Sequence, residues 1–395
     1  MNYKDKLKNN IKLNYIFIFL SRLNLTQGLW MIYLAFKGMS LLQLGVLEGI
    51  YHITSFLMEV PTGAVADIFG RKVSRVLGRV GTFISTILLI YSNSFYMFAL
   101  SFIIQALGNN LESGAGEALI YDSLKELGEE DSFIKVNGKN EMVMQISSVC
   151  AFLLGGYLAT KSYFFTFWLS AVFVVVTFSE ATLFEEPIII KENKKDYNVI
   201  KVLKNQLTNS ISVIRGNMKI GFLIIFSEVI GAFCTSLFFY LQNYWKTGGY
   251  TEFKIGIILS VTSIISALVA SKVHVIEKIL KEKGILIIMP LVFVICAWGA
   301  AITKYQSVFF IIMSAVEVII FVTTSDYINK LIPSENRATI ISFQSMVFSF
   351  FMIVIFPLVG KLGDSYSLIF SFKILAILAT LFMFANFYVV GNTKR

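Results

Sequence analysis

Residues 61–72 read Pro61-Thr62-Gly63-Ala64-Val65-Ala66-Asp67-Ile68-Phe69-Gly70-Arg71-Lys72 and stand between two long apolar runs. Over this short stretch the chain must leave one helix, turn tightly and enter the next. Gly63 permits close helix packing, and Gly70 permits a positive φ in the turn. Asp67 supplies an anion that a neighbouring helix N-terminus or an arginine can meet. The runs on either side are each long enough to cross a bilayer as a helix.

The composition extends this reading to the whole chain. Of 395 residues, 56% are hydrophobic and 15% charged, and the mean hydropathy is +0.72. A soluble globular chain is about 45–50% apolar and about 25% charged, so a cytosolic enzyme, a secreted domain and a disordered chain are all excluded. Apolar segments at 13–36, 41–65, 74–92, 95–120, 139–160, 163–184, 216–243, 252–272, 283–303, 306–331, 337–360 and 366–391 predict twelve transmembrane helices. The runs are continuous rather than alternating, which argues against a β-barrel. The expectation is an all-α integral membrane protein. Its N-terminal six-helix half spans 1–184, its linker 185–215 and its C-terminal six-helix half 216–395. In the linker, Val199, Val202, Leu203, Leu207, Ile211 and Ile214 recur at helical spacing, which fits an amphipathic surface helix or a solvated linker with some helix. A faint repeat links the halves: Gly156-Tyr157-Leu158 and Gly360-Lys361-Leu362 are 204 residues apart, each followed by Ser-Tyr.

Charge placement orients the chain. The first span is too long for a signal-peptide core and lacks a small-residue cleavage site, so it is expected to be retained. With both termini cytoplasmic, six lysines lie on the far side (Lys37, Lys161, Lys246, Lys254, Lys304, Lys361) and Arg22, Arg79 and Lys373 lie within spans. The other twenty-five of the 34 basic residues sit in or at cytoplasmic segments. The net charge of +9 thus faces anionic lipid headgroups rather than nucleic acid. Cys150, Cys234 and Cys296 lie in separate spans and read as small apolar residues. No metal-ligand spacing, phosphate-binding loop or nucleophile–base arrangement stands out. The expectation is a secondary carrier working by alternating access on a small-molecule substrate, with no cofactor, no metal and no enzymatic activity.

The 63–72 segment resembles the cytoplasmic loop motif of the major facilitator superfamily, G-x-x-x-D-x-x-G-R-[RK]. Gly63, Asp67, Gly70, Arg71 and Lys72 match it, while Val65 replaces the usual Leu and Ile68 a common Arg or Lys. The resemblance implies that family's fold of two pseudo-symmetric six-helix halves, a monomer, and a central cavity lined by spans one, four, seven and ten. It also implies a latch in which Asp67 meets the N-terminus of span eleven, here Pro333-Ser334-Glu335-Asn336-Arg337 with Ser334 as N-cap, and Arg71 pairs with Asp122. The alternative is that these are static loop charges that only set topology. Leu44–Lys72 and Gly114–Lys125 are similar to bacterial drug-efflux-type facilitators, implying a bacterial plasma-membrane location. Two departures stand: Ala151-Phe152 precedes Gly155-Gly156 where a Gly-Pro pair is expected, and Gln105–Asn110 lacks the span-four arginine of many proton-coupled exporters.

Ionisable residues inside a bilayer cost a few kcal/mol each and usually face a cavity or a partner. Glu112, Glu228 and Glu317 fall near the middle of spans four, seven and ten, and Arg22 near the middle of span one. Each carboxylate is a candidate for proton sensing or substrate contact, with Glu112 foremost and Arg22 its expected counter-charge. A buried structural salt bridge is the competing role. Asn24, Gln27 and Asn109 are candidate polar contacts in the same spans. Glu48, His52, Ser55 and Glu59 share one face of span two. Glu48, near the outer end, suits a structural or entrance role as well as a coupling one, His52 reads as a hydrogen-bonded helix-packing residue before a coupling site, and Glu59 and Arg79, near the inner end, read as structural. Trp30, Tyr33, Phe233, Phe238 and Phe239 could wall an apolar pocket or face lipid. Three functions follow: proton-coupled efflux of amphipathic small molecules, uptake or exchange of a metabolite by the same fold, and a non-transporting sensor or scaffold.

Overall fold

A computed structural model of the chain describes residues 2–188, 208, 210, 212–332 and 337–392. Among them all long elements are helices: α1 (Tyr3–Arg22), α2 (Trp30–Phe36), α3 (Leu41–Phe69), α4 (Arg71–Tyr91), α5 (Phe95–Leu127), α6 (Phe133–Ala159) and α7 (Tyr163–Leu183). These are followed by α8 (Met218–Thr247), α9 (Glu252–Ala270), α10 (Val273–Ile302), α11 (Gln306–Leu331), α12 (Arg337–Ser365) and α13 (Leu368–Asn392). The boundaries have local causes. Ser94 and Ser162 accept from the backbone N–H three residues on, capping α5 and α7. Gly128, at φ 72°, ends α5 in the left-handed conformation. Lys281, at φ 55°, breaks α10 between a short leading segment and its membrane portion.

Among the described residues, ten helices are long and apolar enough to cross a membrane, by length and composition. α1 and α5 fall short, and these belong to predicted spans one and four. α5 carries Gln105, Asn109, Asn110, Glu112 and Glu117 through its middle. The first span is corrected more deeply, because 13–36 is not one helix. α1 ends at Arg22, residues 23–29 are non-helical or turn, and α2 follows with seven residues. The cause is local. The Asn24 side-chain oxygen Oδ1 accepts from the Thr26 amide (3.1 Å) and hydroxyl (2.7 Å), a side-chain turn that competes with helix continuation. Most of the expected linker helix, and Pro333–Asn336 with its Ser334 cap, lie outside the described residues.

The chain forms two compact units. The first comprises Met1–Trp30, Ile50–Leu203 and Thr251–Ile257. In it α4 packs along α5 and α7, and α1 lies against α5, α6 and α7. The second comprises Met31–Gly49, Lys204–Tyr250 and Ile258–Arg395. There α8 packs on α11 and α12, and α10 lies between α11 and α13. Large apolar side chains such as Leu57, Leu154, Ile295, Phe350 and Phe384 are exposed, as a lipid-facing surface requires.

The two glycines of the sequence repeat mark equivalent close crossings, one inside each unit. In the first unit α6 crosses α9, and a Cβ on Gly156 would lie 2.7 Å from the Glu252 carbonyl oxygen. The Tyr163 hydroxyl donates to the Glu252 carboxylate beside it. In the second unit α12 crosses the start of α3, and a Cβ on Gly360 would lie 2.2 Å from the Leu41 carbonyl oxygen. Asp364, one turn on, accepts from the Leu41 and Leu42 amides at 3.0 and 2.8 Å, satisfying donors that the start of a helix leaves open. Small residues at such crossings let backbones approach, and apolar packing then holds them. Gly360→Val forces backbone apart here. It is expected to lower the thermal midpoint in detergent clearly, at an overpacking cost of about 1–3 kcal/mol. Gly391→Val, where nothing lies within 4 Å, should leave the midpoint unchanged.

Candidate functional site

The loop identified in the sequence lies in the first unit between α3 and α4. Gly70 has φ 104°, and its missing Cβ leaves room for the Glu186 carboxylate, which would lie 2.9 Å from one. Glu186 accepts from the Arg71 and Lys72 amides, each at 2.7 Å, and so caps α4. The Arg71 guanidinium donates through Nε to Asp122 at 2.9 Å and lies 3.3 Å from Asp67 through Nη1. Asp122 is mostly buried, whereas Asp67 is half exposed. The Arg71–Asp122 pair is therefore the better-protected contact of the loop. A Cβ on Gly63 would meet nothing within 4 Å, so no close contact requires a glycine there.

The segment that supplies Glu186 is itself tied down. Asn10, fully buried on α1, donates to the Glu185 carbonyl at 2.8 Å and accepts from its amide at 2.9 Å. The Tyr3 hydroxyl donates to Glu126 and accepts from the Ile188 amide at 2.9 Å. Burial, and the Glu126 carboxylate beside it, push the Tyr3 phenol up to about 12, so it stays a neutral donor at physiological pH.

Deeper in the same unit, Glu112 on α5 is paired with Arg75 on α4. Arg75 reaches Glu112 Oε1 through Nε at 3.1 Å and Nη2 at 3.0 Å, and Nη2 also donates to Asn14 Oδ1 at 3.1 Å. The guanidinium is stacked against Phe17 (4.1 Å) and Phe184 (4.4 Å), and the Arg75 side chain is 1% exposed against 17% for Glu112. The expected counter-charge, Arg22, is not the partner. Asn14 is the α1 residue at this pair, and Arg22 lies eight residues beyond it, roughly 12 Å along a helix at 1.5 Å per residue. Arg22 is exposed at the point where α1 ends.

The remaining candidates are distributed. Asn109 donates to the Tyr51 hydroxyl at 2.9 Å and accepts from Gln105 at 3.0 Å, so it is bound into packing between α3 and α5. Asn24 is committed to its own turn, and Gln27 is half-buried in the same non-helical segment. In the second unit, Glu228 on α8 is 7% exposed and accepts from the Ser227 hydroxyl at 3.0 Å. Glu317 on α11 is half-buried and near enough to Glu228 to feel its charge. Neither has a lysine, arginine or histidine within 4 Å among the described residues. Farther along α8, Phe238 and Trp245 both pack on Phe310 of α11, and Phe239 packs on Phe356 of α12.

Two residues here escaped the sequence reading. Arg75 carried a signal, since it stands one helical turn beyond Arg71 inside an apolar run. Glu186 carried none, because its role depends on a turn 115 residues earlier.

Glu112→Gln leaves Arg75 buried without its anion. Breaking one side of a buried pair costs about 3–5 kcal/mol, whereas replacing both partners with apolar residues is often neutral. The single variant is therefore expected to lose thermal stability in detergent, and Arg75→Met/Glu112→Leu to recover most of it. A double variant no better than Glu112→Gln would refute this account of the pair.

Residues 13–357 match the model of the Major Facilitator Superfamily. An uncharacterized MFS-type transporter of Bacillus subtilis (strain 168), YxaM, is 23% identical over 365 residues, covering 88% of each chain. Among solved structures, the nucleoside transporter NupG superposes with a TM-score of 0.78 at 15% identity, over 99% of this chain and 100% of that one. A bacterial homologue of the human lysosomal transporter Spinster superposes with a TM-score of 0.74 at 15% identity, over 100% and 98%. At such identities the structures establish the fold, and the family match establishes the class. The chain belongs to the major facilitator superfamily and is a multi-pass membrane transporter of small molecules, not an enzyme.

Proposed function

We propose that this transporter exports amphipathic small molecules in exchange for protons, by alternating access, as a monomer in a bacterial plasma membrane with both termini cytoplasmic. The observation that carries the coupling is the pair of carboxylates on α8 and α11, Glu228 and Glu317, with no basic partner among the described residues. In an apolar interior a carboxylate without a cation is held neutral by a proton or met by a cationic ligand. A residue in that position can load a proton from one side and release it when its surroundings change. Glu112 suits this role less well, since Arg75 already neutralises it. The aromatic cluster of Phe238, Phe239, Phe310 and Trp245 supports an apolar substrate body.

The Asp67–Arg71–Asp122 chain supports a gating role for the loop. Arg71 sits between a protected acid and a half-exposed one, so the exposed contact is the one that can exchange partners during the cycle.

Coupling is tested in a bacterium lacking its own efflux pumps, by following accumulation of lipophilic dyes of both charge signs with and without an uncoupler. Cells expressing the transporter should accumulate less of at least one dye, the difference should vanish with the uncoupler, and Glu228→Gln/Glu317→Gln expressed at equal level should behave as empty cells. No change for any dye, or export indifferent to the uncoupler, would overturn the reading. Separately, Asp67→Asn is expected to abolish transport at normal membrane abundance, and unchanged transport would leave the loop charges a topological role only.

A further inference from the structure

Around Glu112 the first unit buries one more arginine than that acid can neutralise. Arg79 lies on α4 one helical turn beyond Arg75 and eight residues beyond Arg71, roughly 12 Å along the helix. It is 7% exposed, and its guanidinium makes no hydrogen bond or ion pair with any described residue. Nε is enclosed and unpartnered. The Phe17 ring, 5.4 Å away, covers one side.

The charged groups near enough to act on Arg79 are Glu112, Arg75 and Arg22. Glu112 already accepts from two N–H groups of Arg75. The other two are cations, and Arg75 also keeps a buried Nη1 without an acceptor. Two buried arginines thus face one carboxylate. A lysine in this position could shed its proton, but a guanidinium cannot. A buried positive charge with unmet N–H donors is costly unless an anion meets it. The planar fork of a guanidinium matches a carboxylate or phosphate.

We propose that Arg79 is the receptor for an oxyanion, a carboxylate or phosphate group borne by the transported solute or by a lipid headgroup. The inference is independent of the direction of transport and of proton coupling, since it concerns binding alone. For a solute, it narrows the substrate class to molecules with an acidic group.

Binding to the purified full-length protein tests it directly. In dodecyl maltoside micelles, which carry no anionic group, benzoate and phenyl phosphate should raise the thermal midpoint and bind saturably, whereas benzamide and benzylamine should not. Arg79→Met should weaken oxyanion binding about tenfold or more, the size expected for lost hydrogen bonds to a charged group. Lys373→Met, which removes an exposed membrane-span lysine in the other unit, should leave binding unchanged.

Stability supplies the second reading. In buffer free of both oxyanions, Arg79→Met should be at least as stable as the wild type, because the substitution removes an unpaired buried charge. A marked fall in its midpoint, or a failure to fold, would mean that the guanidinium has a structural partner, and would overturn the proposal. Oxyanion binding that persists in Arg79→Met would overturn it as well. If soluble oxyanions have no effect but added phosphatidylglycerol stabilises the wild type and not Arg79→Met, the oxyanion is a lipid headgroup. Absence of both responses refutes the receptor.

Discussion

Arg75 is a permanent cation almost wholly removed from solvent, and three parts of the first unit are organised around it. Phe17 and Phe184 lie against the guanidinium, Asn14 accepts from its edge, and Glu112 supplies the negative charge. These residues come from α1, α5 and the exit from α7, while α4 carries the arginine itself. Each contact is needed because guanidinium cannot be neutralised by losing a proton. The same requirement explains why α5 tolerates so polar a middle: its acid and amides answer groups on α3 and α4.

The loop between α3 and α4 is an extension of this arrangement toward the membrane surface. Arg71 is one turn before Arg75, and its acids, Asp122 and Asp67, are in turn on α5 and α3. Glu186 follows Phe184 by two residues, so the chain that closes over Arg75 also caps α4. One short segment after α7 thereby joins the buried pair to the loop. Asn10 and Tyr3 hold that segment against α1 and α5.

Both units hold ionisable groups that they do not themselves neutralise. The first buries two arginines around Glu112, Arg79 being left over, and on α7 it holds Glu180 with an enclosed carboxylate oxygen that meets no donor among the described residues. The second places Glu228 and Glu317 in its interior with no basic group at contact distance among the described residues. A transporter needs places where charge is completed by something that arrives and leaves. The physics of a low-dielectric interior makes such places visible as ionisable groups that the protein does not itself neutralise.

Hydropathy is a sum over neighbours along the chain, so the membrane class, most of the spans and the loop are readable from residue order alone. Gly70 and Asp67 were legible for the same reason, because a tight turn and its anion are specified within a few residues. Glu112, Glu228 and Glu317 stood out because acids are rare in apolar runs. The partners of these charges depend on how the helices pack. Arg75 meets Glu112 across 37 residues and Glu186 meets Arg71 across 115, and both contacts depend on which helix faces come together. The break after Arg22 was also beyond a hydropathy reading, since Leu23, Leu25 and Leu29 keep the segment apolar while the Asn24 turn unwinds it. An ion pair is satisfied through space, and apolar periodicity records only that a helix is buried, not what its charged residues will find there.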